Sequence, residues 1–362
     1  MVNIINSDLT GLFNDVKEKK LVIYGAGINA IHFIENYKLS PQSVYIVDKN
    51  KELTEIHVNT VTYPVFQIET LRDLALLEEI VILITTMNYY MEVLEFLDKM
   101  EELNGVNCYL LTFIREHCEN REFSFSLGPA QIPKKIHYCW FGKNKMNKLV
   151  EECVDSWKRL CPDYEIVLWN EDNYDITKNK YMYQAFINQK YGFVPDYARL
   201  DIIYNEGGIY LDSDVKLLTS LDPILNDEMF FGLLYEWRSG FGLGFGAKKG
   251  HSLIKKLRDV YDDAAFINEK GQFDLRPCSN YQDPTLKEYG FSLKNEYQKI
   301  NNVVCYPSST FNPRGLSGLA SNYTKNTISE HIAMISWQDA SARQGFEQYR
   351  RDIMKRINCQ KV

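Results

Sequence analysis

Apolar positions change period repeatedly along the chain, and each change marks an expected element. After a short opening helix, Lys20–Tyr24 is a mostly apolar run of strand length that enters Gly25-Ala26-Gly27 and then an amphipathic helix through about Tyr37. Val44–Val47 makes a second strand ending at Asp48, and Ile80–Thr85 a third. A helix over roughly 89–103 and a fourth strand at Asn107–Leu111 complete the series. Strands alternating with helices predict a parallel sheet covered on its faces. The glycine turn and an acid about 20 residues on outline a dinucleotide-binding unit, with Asp48 placed to meet a ribose. Ala30 stands at the third glycine position, and a segment this short offers one half of a two-part cofactor platform. Scaffolding, nucleotide binding and redox use therefore stay open for it.

Weak periodicity and a Gly-Pro break over Arg121–Gln131 end this region. The pattern places a first domain at 1–122, a linker at 123–131 and a second domain at 132–362. The second domain opens with a strand and glycine loop, Ile132–Gly142, then a helix over Leu149–Leu160 and a strand at Glu165–Trp169. A helix over Tyr181–Tyr191 leads to Phe193–Val215, FVPDYARLDIIYNEGGIYLDSDV, around which the chain is organised. Asp196 and Arg199 are three apart and share a helix face. Asn205, Gly207 and Gly208 stop that helix. Ile209–Leu211 is an apolar strand that delivers Asp212 and Asp214 at its carboxyl end, where functional groups of open α/β sheets gather. Two apart on a strand, these carboxylates would point to one side, and a divalent cation is their natural neutraliser. Such a triplet is also a common accident, so context has to carry the argument. Further on, Met229–Leu234 is a strand, and Ser239–Gly250 is rich in glycine, which suits either close approach to a sugar or phosphate or a flexible turn. A helix through about Tyr261 follows, whereas Glu269–Leu293 shows little periodicity.

The stretch DYARLDIIYNEGGIYLDSDV resembles the signature of the DxD sugar transferases. That family includes bacterial capsular polysaccharide enzymes and the yeast initiating mannosyltransferase and, more distantly, the glucosyltransferase domain of the large clostridial toxins. The resemblance implies an α/β chain in which a small N-terminal Rossmann-like parallel-sheet domain precedes a GT-A-type glycosyltransferase domain. It implies transfer of a hexosyl group from a nucleotide-diphosphate sugar, a UDP-sugar being favoured, with retention of configuration and help from Mn²⁺ or Mg²⁺. The acceptor would be a carbohydrate or lipid-linked saccharide in capsular or other surface polysaccharide synthesis. By the same resemblance, Asp212 and Asp214 hold the metal, Asp196 and Arg199 grip the donor sugar, and Tyr210 lines the pocket. Trp140 would stack on the base and Trp337 would lie near the leaving phosphate. Glu330–Trp337 resembles the closing signature, in which many relatives carry two adjacent histidines. His331 matches the first and could complete the metal shell; Ile332 stands at the second, so a double-histidine role is not carried over. Core packing is the competing reading of both Trp140 and His331. No unassigned acid announces itself as a nucleophile, which favours front-face attack with the donor diphosphate taking the acceptor proton.

A net charge of -7 argues against a general nucleic-acid binder. Without a long apolar run or a signal-peptide pattern, a cytoplasmic location is expected. The 8 cysteines are scattered without a CxxC pair, which points to reduced thiols rather than a zinc site or disulfide framework. In the tail, Phe346, Tyr349, Ile353, Met354 and Ile357 line one helical face, and Arg343, Arg350, Arg351, Lys355 and Arg356 outnumber Glu347 and Asp352. That helix would either close onto the transferase domain or rest peripherally on anionic membrane. Two other classes stay in view: a non-catalytic nucleotide-sugar sensor, and an effector that glycosylates a protein.

Overall fold

A computed structural model describes residues 1–86, 89–117, 123–315, 320–332, 348 and 351–357. The chain divides into two compact units, Met1–His117 with Gln344–Val362, and Cys118–Arg343.

The first unit is a seven-stranded sheet in the order Asn3–Ile4, Asn107–Leu110, Ile80–Ile84, Lys20–Tyr24, Val44–Asp48, Val61–Gln67, Glu55–Val58. All neighbours are parallel except the last pair, an edge hairpin that the sequence pattern did not reveal. Leu21, Val22 and Ile23, in the central strand, have no exposure, as expected where helices cover both faces. The Asp48 carboxylate turns back to accept the N–H groups of Ala26 and Asn50, both at 2.8 Å. It braces the glycine turn where a ribose contact was expected. The tail also departs from expectation. It groups with this first unit, Ile353 and Ile357 are buried, and Arg356 pairs with Asp98 at 2.6 Å. Of the expected apolar stripe, Ile353 and Ile357 are thus buried and Met354 is exposed, while Phe346 and Tyr349 lie outside the described residues. Among the described residues, no helix is long and apolar enough to cross a membrane.

The second unit is built on a mixed sheet in the order Gln298–Ile300, Val303–Tyr306, Met229–Tyr235, Phe245–Ala247, Gly208–Tyr210, Lys135–Cys139, Glu165–Trp169. Gly208–Tyr210 runs parallel to Lys135–Cys139 and antiparallel to Phe245–Ala247. Strand alternation sorts side chains into two cores. Ile136, Tyr138, Ile209, Leu211, Phe230 and Val304 join Val150 and Trp157 of the Lys148–Leu160 helix on one face. Cys139, Tyr210, Phe231 and Cys305 join Tyr197, Ala198 and Leu200 of the Pro195–Glu206 helix on the other. That central helix begins with Pro195 in its first turn, where a missing N–H costs nothing, and ends at Gly207 with φ +69°. A Cβ on Gly207 would lie 2.8 Å from the Lys249 nitrogen, so glycine is required sterically as well as conformationally. The carbonyl of Gly207 accepts from Nε2 of His137, whose Nδ1 accepts from the Trp169 indole, each at 3.0 Å. Burial pushes the His137 pKa down to about 4 and keeps the ring neutral. One imidazole thereby ties the helix-to-strand turn to two strands. The stretch read as aperiodic, Glu269–Leu293, contains the helix Ser279–Tyr289 with Pro284 inside it.

Candidate active site

The central helix and the turn after its strand bring the predicted polar residues together. Asp196, Arg199 and Asp201 sit on a helix whose residues are buried from Asp196 to Ile203, so each needs a partner. Asp201 is satisfied structurally by Tyr174, Lys178 and Arg258. Asp196 pairs with Arg199 one turn on and accepts from the Tyr181 hydroxyl at 3.5 Å. Burial pushes the Asp196 carboxyl up to about 6, against the pull of the Arg199 guanidinium. Arg199 also reaches Asp212 Oδ1 at 3.6 Å, and the Tyr210 hydroxyl donates to the same oxygen at 3.0 Å.

Asp212 and Asp214 lie on the turn between the strands Gly208–Tyr210 and Val215–Leu217, not on a strand as the alternation argument assumed. The turn, closed by Val215 N–H donating to the Asp212 carbonyl at 3.1 Å, gathers them instead. A small antiparallel pair then supplies the third group. Val215–Leu217 pairs with Ser329–His331 in a register that sets His331 opposite Val215, and Ile332 N–H donates to the Asp214 carbonyl at 3.0 Å. His331 Nε2 lies 3.3 Å from Asp214 Oδ1. One ligand atom from each of Asp212, Asp214 and His331 can be chosen so that all lie within 4.8 Å of one another. Burial pushes the His331 pKa down, but the Asp214 carboxylate outweighs it and holds the ring above its usual range. His331 Nδ1 is buried without a hydrogen-bond partner among the described residues. Two carboxylates and an imidazole with an unused nitrogen are a donor set that fits a divalent cation.

Trp140 is half-buried at the carboxyl end of the Lys135–Cys139 strand, the neighbour of Gly208–Tyr210, so it stands at the same sheet end as the aspartates. Its indole donates to the Asn144 carbonyl at 2.6 Å. Trp337 lies outside the described residues. Gly242 was hidden within the glycine-rich stretch: its carbonyl accepts from Asp212 N–H at 2.9 Å, and a Cβ there would fall 2.0 Å from Asp212 Oδ2. Tyr181, whose hydroxyl donates to Asp196, carried no sequence signal beyond its aromatic character.

Residues 147–231, which include both aspartates and the Asp196–Arg199 pair, match the family described as a glycosyltransferase sugar-binding region containing a DXD motif. This segment resembles a DXD sugar-binding region. Around it, the chain is 30% identical over 179 residues to the subversion of eukaryotic traffic protein A of Legionella pneumophila, covering 40% of this chain and 27% of that one. It is 36% identical over 109 residues to inositol phosphoceramide mannosyltransferase 3 of Schizosaccharomyces pombe (28% of this chain, 30% of the relative). It is 28% identical over 237 residues to mannosyltransferase 1 of that yeast (59% and 64%). The chain thus spans under two thirds of the length of these curated relatives. Among solved structures, the PaToxG glycosyltransferase aligns with a TM-score of 0.37 at 16% identity, over 44% of this chain and 70% of that one. A glycosyltransferase involved in glycosylation of the major capsid of PBCV-1 aligns at 0.32 and 13%, over 59% and 98%.

Proposed function

We propose that the chain is a metal-dependent, retaining glycosyltransferase that moves a hexosyl group from a nucleotide-diphosphate sugar, a UDP-sugar being favoured, to an acceptor hydroxyl. The observation that carries this reading is the convergence of Asp212, Asp214 and His331 beside the Asp196–Arg199 pair, within the DXD region. Asp212, Asp214 and His331 would hold Mn²⁺ or Mg²⁺, which when bound supplies Lewis-acid neutralisation of the departing diphosphate. Arg199, fixed between Asp196 and Asp212, presents a planar set of donors to the sugar hydroxyls, while the Asp196 carboxylate accepts from them. Tyr210 orients Asp212 through its hydroxyl. Trp140 offers an aromatic face for the base. The acceptor oxygen bonds to the anomeric carbon as the bond to the diphosphate oxygen breaks, and the acceptor proton passes to that diphosphate. No protein carboxylate is assigned as nucleophile.

The acceptor we favour is a carbohydrate or lipid-linked saccharide of surface polysaccharide synthesis; the likeness to inositol phosphoceramide mannosyltransferases supports a lipid-borne one. The likeness to a protein named for subverting eukaryotic traffic keeps a second reading, an effector that glycosylates a protein. A panel of UDP-, GDP- and CMP-sugars tested for Mn²⁺-dependent hydrolysis checks the donor half. Turnover of one base class with loss on chelation is expected; no metal-dependent turnover of any would overturn the reading. Stimulation of transfer by saccharide lipids rather than by protein extracts then separates the two acceptor classes.

A further inference from the structure

Among the described residues, Val215–Leu217 and Ser329–His331 form a sheet of two strands, and a pair that small is marginal by itself. It nevertheless sets the alignment on which the metal set depends, His331 against Asp214. Hydrogen bonds from Ile332 N–H to the Asp214 carbonyl at 3.0 Å and from Leu218 N–H to the Ile328 carbonyl at 2.8 Å mark alternate residues as the ones joined across the pair. The backbone groups of Val215 and Leu217 therefore face the opposite edge, which no third strand covers among the described residues. Two consecutive side chains of the Lys148–Leu160 helix take that place. The Trp157 indole donates to the Val215 carbonyl at 2.8 Å, and the Ser156 hydroxyl accepts from Leu217 N–H at 3.0 Å while donating to the Cys153 carbonyl at 2.5 Å. Both residues are buried, and the Trp157 ring meets Tyr138 edge-on with ring centres 5.3 Å apart.

A phenyl or long aliphatic side chain could fill most of the volume at 157, but the indole alone adds a donor to that bulk. Its acceptor belongs to the residue through which both halves of the metal set are held. Val215 N–H closes the turn on the Asp212 carbonyl at 3.1 Å, and Val215 stands opposite His331. We propose that Trp157, supported by Ser156, is a positioning residue for the divalent cation: it pins the edge of Val215–Leu217 and so fixes Asp212, Asp214 and His331 relative to one another. The proposal rests on the metal reading above. Trp157 acts through the strand, not by contact with the ion. Without the indole N–H, the buried Val215 carbonyl loses its donor, and the strand gains by shifting toward another one. The turn and His331 move with it, and an ion that needs all three ligands at once binds more weakly.

The test titrates Mn²⁺ calorimetrically into wild type, Trp157→Phe, Ser156→Ala and Val150→Ala, each well below its melting temperature so that all are folded. Val150 is the packing control, because it is fully buried on the same helix and in the same core but has no side-chain hydrogen bond to give. Supporting groups behind metal ligands are worth about 10- to 100-fold in affinity, so the Mn²⁺ dissociation constant should rise at least about tenfold in Trp157→Phe and about threefold in Ser156→Ala. In Val150→Ala it should stay within about twofold of wild type, even where the melting temperature falls as far. A Trp157→Phe constant less than about threefold above wild type, or an equal rise in Val150→Ala, overturns the proposal and leaves the metal reading standing. Should Trp157→Phe fail to fold, Ser156→Ala, which removes only a hydroxyl, must show its rise by itself, and an unchanged constant there overturns the proposal equally. Wild type that binds no Mn²⁺ overturns the metal reading and this inference with it.

Discussion

Gly242→Ala isolates the placement of one carboxylate from everything else in the site. The added Cβ would lie 2.0 Å from Asp212 Oδ2 and 3.3 Å from Arg199 Nη1, where ordinary contact begins at 3.4 Å. The carboxylate must therefore retreat by more than about 1 Å, and a displacement of that size at a reacting centre costs roughly 10²-fold in rate, about 2.7 kcal/mol. The fold should not suffer. Gly242 is outside the left-handed region, so alanine restricts the unfolded chain and contributes about 0.4–1 kcal/mol of stability before the clash is counted. The Asp212 side chain is 34% exposed and has room to move outward. The assay is kcat/KM for Mn²⁺-dependent donor hydrolysis beside a thermal melt, with Gly27→Ala as the control, since a Cβ there would meet nothing within 4 Å. A Gly242→Ala enzyme with more than a third of wild-type kcat/KM would refute the claim that Asp212 must stand where it does.

Acidification tests the His137 tie. Its folded pKa of about 4 lies below the ordinary histidine value of about 6.5, so the unfolded chain binds the proton first as pH falls; stability is intact above about pH 6.5 and is lost toward pH 4. Denaturant titrations at pH 7 and 4.5 should show wild type losing roughly 2 to 3 kcal/mol more than His137→Gln, and parallel losses would contradict the neutral buried ring. At the two ends of the donor, Asp196→Ala and Arg199→Ala should depress sugar transfer while sparing free-nucleotide affinity, and Trp140→Ala should do the reverse. Equal loss of UDP or GDP binding in all three would show the ends to be misassigned.

The legible parts of the chain were those where one local rule decides the outcome. Apolar runs such as Leu21–Tyr24 and Ile80–Ile84 became the parallel strands of the first unit, and Gly207-Gly208 stopped the central helix where glycine alone fits. The strand Val61–Gln67 escaped because Pro64 and polar neighbours blur its alternation; the proline is tolerated because pairing with Val44–Asp48 begins only at Val65. Ser279–Tyr289 escaped because Pro284 and a polar composition hide a helix stabilised by tertiary contacts such as Asp283 with Ser239. In the site, the aspartates were identified by resemblance, while the strand geometry first offered for them was replaced by a turn. The meeting of His331 with Asp214 depends on pairing strands more than a hundred residues apart, which no local pattern encodes. The amphipathic tail displayed its stripe plainly, but a stripe names no partner; Ile353 and Ile357 found theirs in the first unit.

The central claim, metal-assisted glycosyl transfer by the DXD turn, meets its most direct test in Asp214→Asn. Asparagine keeps the shape and removes the charge opposite His331, so the melt should stay within a few degrees of wild type. Turnover of the preferred nucleotide sugar at saturating Mn²⁺ should vanish, together with calorimetric Mn²⁺ binding. A variant that folds and retains more than a tenth of wild-type turnover would contradict the account.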